Sequence, residues 1–352
     1  MSGTPAARAS DARSLGAAVE SFAVEDVSSG TSSRWRVAVT YNAAGTEAGL
    51  PVQLFAKTTC SASQRLLLGL VDLLRGEPGF YRSLRPALDI EAPIGYHGAA
   101  DLASGRSIVL VEDVVATKGA TFRAPRTPLT RPEIEDLLTG MAQWHGRYWE
   151  HPDLARHDWL RPPSGFVVAL DRFAGMRKRG QVGVERARAV IPDKVVALHG
   201  RLYEALWRSM AAADRGPATL LHGDPHIGNV YTTAAGRMGF CDWQVVSRGN
   251  WAHDVSYLVV STLAVADRRA WERDLLALYL DRLAETGAKA PDFDAAWLAY
   301  RRQLVYPYLT WLLVIGRSAV QPRFQADDVS LGVIERTAHA VADLDPLAAV
   351  EE

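Results

Sequence analysis

The sequence contains very little cysteine: Cys60 and Cys241 are the only two among 352 residues. Two cysteines are too few for a disulfide framework, so we expect the chain to reside in a reducing compartment, the cytoplasm. Residues 1–22 are small and polar and lack the apolar core of a signal peptide. The longest apolar run, residues 304–316, contains a proline and is too short to cross a bilayer. We therefore predict a buried helix there and no membrane span.

The chain also has almost no excess of charge, because its formal net charge is −1 at pH 7. Proteins that bind nucleic acids or anionic membranes carry strongly basic surfaces. We therefore expect no nucleic-acid partner. No feature of the sequence indicates an oligomeric state.

What the chain does have is a strand-rich first third followed by helical patterns. Its length suits two lobes, each with its own core. We predict an α+β fold in which residues 1–16 are disordered, residues 17–115 form a small β-rich lobe and residues 116–352 form a larger helical lobe. Polar clusters at the strand ends fit a cleft between these lobes.

Alternating apolar residues predict the strands, and apolar residues three and four positions apart predict the helices. The predicted strands are 24–27, 35–41, 52–57, 108–114, 218–221 and 238–241. The strands 35–41 and 52–57 are expected to form a hairpin, with Lys57 at a strand end. The predicted helices are 63–74, a helix that begins after the N-cap Thr130, 194–210, 271–283 and 295–313.

The segment with the most chemical content is HGDPHIGN at residues 222–229. Asp224 and Asn229 are five positions apart and His222 precedes the aspartate by two, which is the spacing of the kinase catalytic loop H-R-D-x-x-x-x-N. A carboxylate at Asp224 can hold an attacking hydroxyl in line with the γ-phosphorus of ATP. A neutral amide oxygen at Asn229 can bind a divalent cation without a second full charge beside the base.

A second carboxylate, Asp242, follows the apolar strand 238–241, where a kinase carries its D-F-G aspartate. Mg²⁺ keeps several waters and phosphate oxygens, so one asparagine and one aspartate are enough to hold it. Taken alone, residues 222–229 could also be a tight surface turn, because glycine, aspartate, proline and asparagine are turn formers. Asp242 at the expected offset favours a phosphate-transfer site.

These two segments resemble a known family. HGDPHIGN, followed by FCDWQ at residues 240–244, is similar to the HGDxHxxN and D-[WFIL]-[EDQ] motifs of the aminoglycoside phosphotransferase and choline kinase superfamily, which has a two-lobed, protein-kinase-like fold. Gln244, Trp251 and Asp254 resemble more narrowly its ecdysteroid-kinase-like (CHK kinase-like) branch. The resemblance extends over residues 34–302.

The resemblance implies a role for each matching residue. It implies that Asp224 is the catalytic base and that Asn229 and Asp242 are the Mg²⁺ ligands. It further implies that Lys57 binds the α- and β-phosphates of ATP and that Glu77 pairs with Lys57.

The resemblance also implies which backbone segments bind the nucleotide. Residues 28–33 would cover the phosphates, although this loop has a single glycine, Gly30, and departs from the G-x-G-x-x-G pattern. A hinge would follow the strand 108–114, where main-chain groups of Glu112 and Val114 would meet adenine. For the side chains at this strand end we favour a structural role.

His222 and His226 also permit a metal-binding interpretation, because they form H-x-D-x-H with Asp224. Such a site needs several more histidine-bearing segments, and the other histidines form no second cluster in the sequence. We therefore predict that both histidines anchor the loop as hydrogen-bond donors. Asp254 is predicted to tie down the backbone of the loop, and His145 to be a packed core histidine.

Together these features predict an ATP- and Mg²⁺-dependent phosphotransferase that moves the γ-phosphate directly to a hydroxyl of a small molecule. Residues 151–183 and 291–325 contain more basic than acidic residues and several aromatic ones. This favours a neutral or acidic, partly apolar alcohol over a polycationic acceptor, unless the acidic tail at 343–352 folds back. Two alternatives stay open: an aminoglycoside or other antibiotic phosphotransferase, and a catalytically silent nucleotide-binding protein.

Overall fold

The computed structural model of the chain describes residues 16–29, 32–123, 127–317 and 325–352. These residues form two compact units. The first comprises the described residues up to Thr121 together with Thr232–Gly236, and the second comprises Phe122–Tyr231 and the described part of Arg237–Glu352. The first unit is built around a β-sheet and the second mainly from helices, so the predicted α+β class is confirmed.

The first unit contains a five-stranded antiparallel sheet. Its strands are β1 (Val19–Ser29), β2 (Ser33–Tyr41), β3 (Gln53–Thr58), β4 (Gly95–Asp101) and β5 (Arg106–Glu112). Their order in the sheet is β1-β2-β3-β5-β4. The predicted hairpin is confirmed, because β2 and β3 pair with Lys57 opposite Arg34. The helices of this unit are α1 (Ala43–Glu47), α2 (Ala62–Leu70), α3 (Gly76–Gly79) and α4 (Val114–Lys118).

The helix predicted over residues 63–74 ends earlier than expected. It begins with a capping box, in which Ser61 and Gln64 each accept a hydrogen bond from the backbone N–H of the other. It ends at Leu70 because Asp72 has a φ of 55°, a left-handed conformation that a right-handed helix cannot contain.

The strand predicted over residues 108–114 also ends early, at Glu112. The next residue, Asp113, accepts hydrogen bonds from two backbone N–H groups of the following turn and is thereby the N-cap of α4. Val114 is consequently the first residue of a helix and not the last of a strand.

Helices form most of the second unit. They are α5 (Arg131–Arg147), α6 (Asp153–Arg156), α7 (Pro163–Ala174), α8 (Met176–Arg186), α9 (Asp193–Ala197), α10 (His199–Ala213), α11 (Ala252–Thr262), α12 (Val265–Glu285), α13 (Phe293–Arg302), α14 (Val305–Ile315), α15 (Asp327–Leu344) and α16 (Pro346–Ala349). Thr130 is the N-cap of α5, as predicted. None of the helices in the described parts of the chain is long and apolar enough to cross a membrane.

Two small sheets carry the predicted strands of the second half of the chain. The strand β7 (Ala218–Leu221) pairs antiparallel with β10 (Ser247–Asn250). The strand β8 (Val230–Thr232) lies between β6 (Thr121–Phe122) and β9 (Met238–Phe240). Both sheets bring polar loop residues next to the buried ends of β7 and β9.

The single helix predicted over residues 295–313 is two helices, α13 and α14. Pro307 lies in the first turn of α14. Proline lacks an N–H and its ring clashes with the carbonyl of the fourth preceding residue, here Gln303, so one continuous helix cannot pass through this position. The helix predicted over 194–210 is likewise divided, into α9 and α10.

The helix α11 lies in the core of the second unit, because every one of its residues is buried. It includes polar side chains such as His253, Asp254 and Ser256, which are also buried. A buried carboxylate is costly unless hydrogen bonds compensate for the loss of water. Asp254 therefore requires hydrogen-bond donors within the protein.

Candidate active site

Asp254 fixes the start of the loop at residues 222–229. Its two carboxylate oxygens accept hydrogen bonds from the backbone N–H groups of His222, at 2.6 Å, and Gly223, at 2.9 Å. Burial raises the pKa of Asp254, but hydrogen bonding and attraction to His145, and attraction to His222, outweigh it and hold the pKa below its ordinary value. A buried, ionised carboxylate therefore holds the start of the loop. The contacts agree with the prediction that Asp254 ties down the loop backbone.

Gly223 cannot be replaced by a residue with a side chain. Its φ is 82°, in the left-handed region that favours glycine, and an added Cβ would lie 2.2 Å from the carbonyl oxygen of Val245. The glycine of the H-G-D segment thus permits the close approach between this loop and the turn after Asp242.

Asp224, the predicted base, is held from several sides. The side-chain nitrogen of Asn229 donates to the backbone oxygen of Asp224 at 2.9 Å and to its Oδ2 at 3.3 Å. His226 Nε2 lies 3.5 Å from the same Oδ2. Burial raises the pKa of Asp224, but attraction and hydrogen bonding to His226 lower it below its ordinary value. Asp224 is therefore a carboxylate at neutral pH.

Asn229 and Asp242 offer the oxygen atoms that a hard divalent cation requires. Because the side-chain nitrogen of Asn229 faces Asp224, its side-chain oxygen is the atom that can bind a cation. The backbone N–H of Cys241 donates to the Asn229 carbonyl at 2.9 Å, which places Asp242 directly after a residue bonded to Asn229. Two oxygen donors fit Mg²⁺, which completes its shell with waters and phosphates.

Asp242 has an uncommon backbone conformation, with φ 60° and ψ 64°. Few non-glycine residues adopt this left-handed region, and such residues are concentrated at functional sites. The turn Trp243–Val245 follows Asp242 directly. This conformation is an observation independent of the motif and favours a functional role for Asp242.

The two loop histidines have different hydrogen-bonding roles. His222 Nε2 donates to the Cys241 carbonyl at 2.9 Å, and its Nδ1 accepts from the backbone N–H of Asp224 at 3.3 Å. His226 Nδ1 accepts from the backbone N–H of Gly228 at 3.0 Å and caps a short turn. Both histidines thus bind the loop, and His226 does so as an acceptor at Nδ1, while its Nε2 faces the Asp224 carboxylate.

The sequence did not identify the residues that lie next to Asp254 on the side away from the loop. His145 Nε2 lies 3.5 Å from Asp254 Oδ2, and its Nδ1 is 2.7 Å from the hydroxyl of Tyr279. His145 is fully buried, as predicted for a packed histidine. Its position on α5, far from Asp254 in sequence, leaves no local signal that would connect them.

We expect the protein to lose stability as the pH falls below about 6.5. Burial lowers the pKa of His145, His222 and His253 below the ordinary 6.5, although the negative charge of Asp254 opposes this. Below about pH 6.5 the unfolded chain binds protons at these positions and the folded chain does not, so unfolding becomes more favourable. Each histidine adds a slope of up to about 1.4 kcal/mol per pH unit until the pH reaches its lowered native pKa.

Urea unfolding followed by circular dichroism at pH 8, 7, 6 and 5 measures this effect. These histidines should not change the free energy of unfolding between pH 8 and 7. They should decrease it from pH 6 to 5. An unchanged free energy of unfolding from pH 7 to 5 would contradict the buried, neutral state of these histidines.

The first unit contains a buried ion pair between the predicted phosphate-binding lysine and its partner. Lys57 Nζ on β3 lies 2.8 Å from Glu77 Oε2 on α3, and both side chains are buried. A buried pair of this kind orients the ammonium group. The role of Lys57 in binding phosphate stays a prediction.

Replacing Lys57 by methionine should lower the free energy of unfolding by about 3–5 kcal/mol, because Glu77 loses its close cationic partner in a buried position. The double variant Lys57→Met/Glu77→Leu removes both charges and should recover most of this loss. Urea unfolding of the three proteins tests the expectation. Equal destabilisation of the single and the double variant would show that the ion pair is not the cause.

The other predicted nucleotide-binding positions lie at the end of β5, apart from Gly30, which lies outside the described residues. The Glu112 carboxylate contacts Lys118 Nζ at 3.3 Å and accepts a bond from the Thr117 hydroxyl at 2.7 Å, so its side chain has a structural role. The Glu112 N–H donates to the Ile94 carbonyl at 2.8 Å. Val114 begins α4, where backbone N–H groups have no partner within the helix.

Comparisons with known proteins show the family and the fold of the chain. The model of a family described as the phosphotransferase enzyme family matches residues 65–301. Among solved structures, a Ralstonia eutropha protein classed with the aminoglycoside phosphotransferases is 13% identical, with a TM-score of 0.52 over 99% of this chain and 98% of that one. A Plasmodium vivax ethanolamine kinase is 12% identical, with a TM-score of 0.50 over 93% of this chain and 83% of that one. At these identities the similarity shows a shared fold, and the predicted fold is confirmed. No curated protein sequence matches the chain.

Proposed function

The chain belongs to the phosphotransferase enzyme family, and we propose that it is a small-molecule kinase that transfers the γ-phosphate of ATP to a hydroxyl group, with Asp224 as the catalytic base. The observation that carries this proposal is the state of Asp224. Its carboxylate is ionised, lies next to Asn229 and His226, and is still partly exposed, with 29% of the side chain accessible. An acceptor hydroxyl can therefore reach it.

In the proposed reaction the oxygen of the acceptor bonds to the γ-phosphorus while the bond from that phosphorus to the β,γ-bridging oxygen breaks, and ADP leaves. Asp224 accepts a hydrogen bond from the hydroxyl, orients it in line and takes its proton late. The transition state is loose, so orientation contributes more than proton removal. Asp224 thus lowers the activation free energy mainly by holding the nucleophile in position.

The remaining roles are proposed on the chemistry of each group. Asn229 and Asp242 would hold Mg²⁺, which neutralises charge on the phosphate oxygens when bound. Lys57 would bind the α- and β-phosphates. Main-chain groups of Glu112 and Val114 would meet the adenine base.

For the acceptor we propose a neutral or acidic, partly apolar alcohol. The surroundings of Asp224 are aromatic: the ring centroid of Trp311 lies 5.0 Å from that of His226, and Tyr306 packs against Tyr257 at 5.8 Å. These rings are buried, so the support for this acceptor class is the basic and aromatic composition of residues 151–183 and 291–325.

The acidic C-terminal tail does not argue against such an acceptor, because its carboxylates have cationic neighbours in the same unit. Asp343 forms ion pairs with Arg268 and Arg269. Glu351 and Glu352 lie 3.9 Å and 3.8 Å from the guanidinium groups of Arg208 and Arg301.

Incubation of the protein with ATP, MgCl₂ and a panel of hydroxylated compounds tests the proposal. The panel should contain neutral, acidic and polycationic alcohols, including aminoglycosides and macrolides, with ADP release measured by a coupled assay and the phosphorylated product by mass spectrometry. We expect Mg²⁺-dependent phosphorylation of a neutral or acidic, partly apolar compound. If only polycationic compounds are phosphorylated, the proposed acceptor class is wrong and the alternative, an antibiotic phosphotransferase, is favoured. ATP binding without ADP release on any compound would overturn the proposed reaction.

A further inference from the structure

Three arginines come together at the C-terminal end of α14, in the second unit. Arg179 and Arg186 lie on α8, and Arg317 lies two residues after the end of α14. Arg179 Nη2 donates to the Leu313 carbonyl at 2.9 Å, and Arg186 Nη1 donates to the carbonyls of Ile315 and Arg317 at 2.6 Å and 2.8 Å. Because all three carbonyls lie within residues 313–317, the guanidinium groups of Arg179 and Arg186 are close to one another. We call Arg179, Arg186 and Arg317 the arginine cluster.

The sequence of α8 explains why both of its arginines reach the end of α14. Arg179 and Arg186 are seven positions apart, so they lie on one face of the helix, and Gly183 lies between them on the same face. An added Cβ at Gly183 would lie 2.2 Å from the Leu312 carbonyl oxygen, and one at Gly316 would lie 1.9 Å from the Arg179 carbonyl oxygen. The two glycines therefore allow the two backbones to approach closely.

The positive charge of the arginine cluster is only partly compensated. In the described parts of the chain, Asp327 is the one carboxylate at ion-pair distance from the cluster, with its Oδ1 2.7 Å from Arg317 Nη1. Three cations and one anion leave a formal charge of +2. Burial lowers the pKa of Arg179, and the positive charges of Arg186 and Arg317 lower it further. Residues 318–324, which lie outside the described residues, contain one arginine and no acidic residue.

A structural role at the end of α14 accounts for only part of the hydrogen-bonding capacity of the cluster. A guanidinium group has five N–H donors. Arg186 is exposed, and its bonds within the described residues involve Nη1 alone. The Arg317 side chain is 20% exposed and also uses only Nη1 there. The remaining planar N–H pairs match the paired oxygens of a carboxylate or a phosphate group.

The helix that carries the arginine cluster at its end also borders the catalytic loop. The ring centroid of Trp311 on α14 lies 5.0 Å from that of His226, whose Nε2 lies 3.5 Å from Asp224 Oδ2. Ile315 is four residues further along α14, which corresponds to about 6 Å along the helix axis. The carbonyls that bind the arginines are thus about one helical turn from the part of α14 that contacts the loop.

We propose that Arg179, Arg186 and Arg317 form a binding site for an oxyanion, the carboxylate or phosphate group of a small molecule. The ligand is either an acidic group of the acceptor or a free inorganic anion, which share this chemistry. The position on α14 favours the acceptor. That choice rests on the proposed function, whereas the anion site itself does not depend on it.

Titration with inorganic phosphate at constant ionic strength tests the site. The Nε–H signal of Arg186, assigned by its disappearance in Arg186→Met, is followed by NMR. We expect a saturable shift, with a Kd about 10-fold higher in Arg317→Met, the effect of losing a hydrogen bond to a charged group. Asp327→Asn removes a nearby negative charge and should lower the Kd about 2- to 5-fold. Arg201→Met replaces an exposed arginine on α10 and, as the matched control, should leave the Kd unchanged.

The acceptor panel distinguishes the two sources of the anion. If the acceptor carries it, Arg186→Met should lower kcat/KM for acidic compounds about 10-fold more than for neutral compounds, and Arg201→Met should lower neither. Saturable phosphate binding without this difference assigns the site to a free anion. If no compound is phosphorylated, the titration still decides whether the anion site exists, and only the proposed function fails.

The anion site is overturned if the Arg186 signal shifts without saturation, or if Arg317→Met and Asp327→Asn both keep the wild-type Kd. A loss of phosphate affinity in Arg201→Met equal to that in Arg317→Met would also overturn it, because the effect would then follow the net charge of the protein. Thermal unfolding of each variant checks the fold. Should Arg317→Met fail to fold, Asp327→Asn decides, since its expected change has the opposite sign.

Discussion

Replacing Asp224 by asparagine is expected to lower kcat by about 10²- to 10⁴-fold, the usual contribution of a positioned acid or base. Asparagine has nearly the same shape but cannot take the proton of the acceptor hydroxyl. It also presents a neutral group to His226, whose Nε2 faces a carboxylate in the wild-type protein. Binding of ATP should change little, because none of the proposed ATP contacts involves this side chain.

Initial rates and the Kd for ATP, measured on the same preparations, check this expectation. Asp274→Asn is the matched control, because Asp274 is an exposed aspartate on α12 and the substitution is chemically identical. The control should retain full activity. A kcat for Asp224→Asn within a few-fold of the wild-type value would remove Asp224 from the role of base.

Replacing Asp254 by alanine is expected to lower the free energy of unfolding by about 3–5 kcal/mol. The carboxylate accepts the N–H groups of His222 and Gly223 and lies beside His145. Alanine leaves these buried donors without an acceptor in a place that water cannot easily fill. Turnover should be lost as well, since the backbone directly before Asp224 is no longer held.

Asp136→Ala is the comparison that isolates the effect of burial. Asp136 also accepts a backbone N–H, that of Met238 at 2.8 Å, but its side chain is 25% exposed. Water can replace a partly exposed carboxylate, so this variant should lose far less stability in urea unfolding. Equal losses for the two variants would mean that the loop does not depend on the buried position of Asp254.

The sequence predicted the part of the site whose residues lie close together along the chain. Asp224, Asn229 and Asp242 are connected by short strands and tight turns, so their spacing in sequence largely determines their spacing in the fold. Asp254 was identified because it belongs to a recognisable segment, and its contacts with the loop agree with the predicted tie. The roles in catalysis and metal binding remain predictions.

The part that the sequence did not predict depends on packing between distant segments. The contact between Trp311 and Tyr257 joins residues that are 54 positions apart, and each aromatic residue alone fits any apolar core. The ends of elements were misjudged where a single residue overrode the apolar periodicity. Asp113 caps a helix, and Pro307 divides one.

The resemblance of the sequence to the aminoglycoside phosphotransferase and choline kinase superfamily is confirmed by the family match and by the shared fold. The narrower assignment to the ecdysteroid-kinase-like branch stays a prediction. The acceptor panel bears on this point, because it separates antibiotic acceptors from other alcohols.

The complete burial of α11 has a consequence for how activity is lost. Amide protons of a fully enclosed helix exchange with solvent only when the surrounding unit opens as a whole. Asp254, which holds the loop backbone at His222 and Gly223, belongs to this helix. We therefore expect no partly opened intermediate in which this helix frays while the rest of the unit stays folded. Thermal inactivation and cooperative unfolding of the second unit should occur as one event.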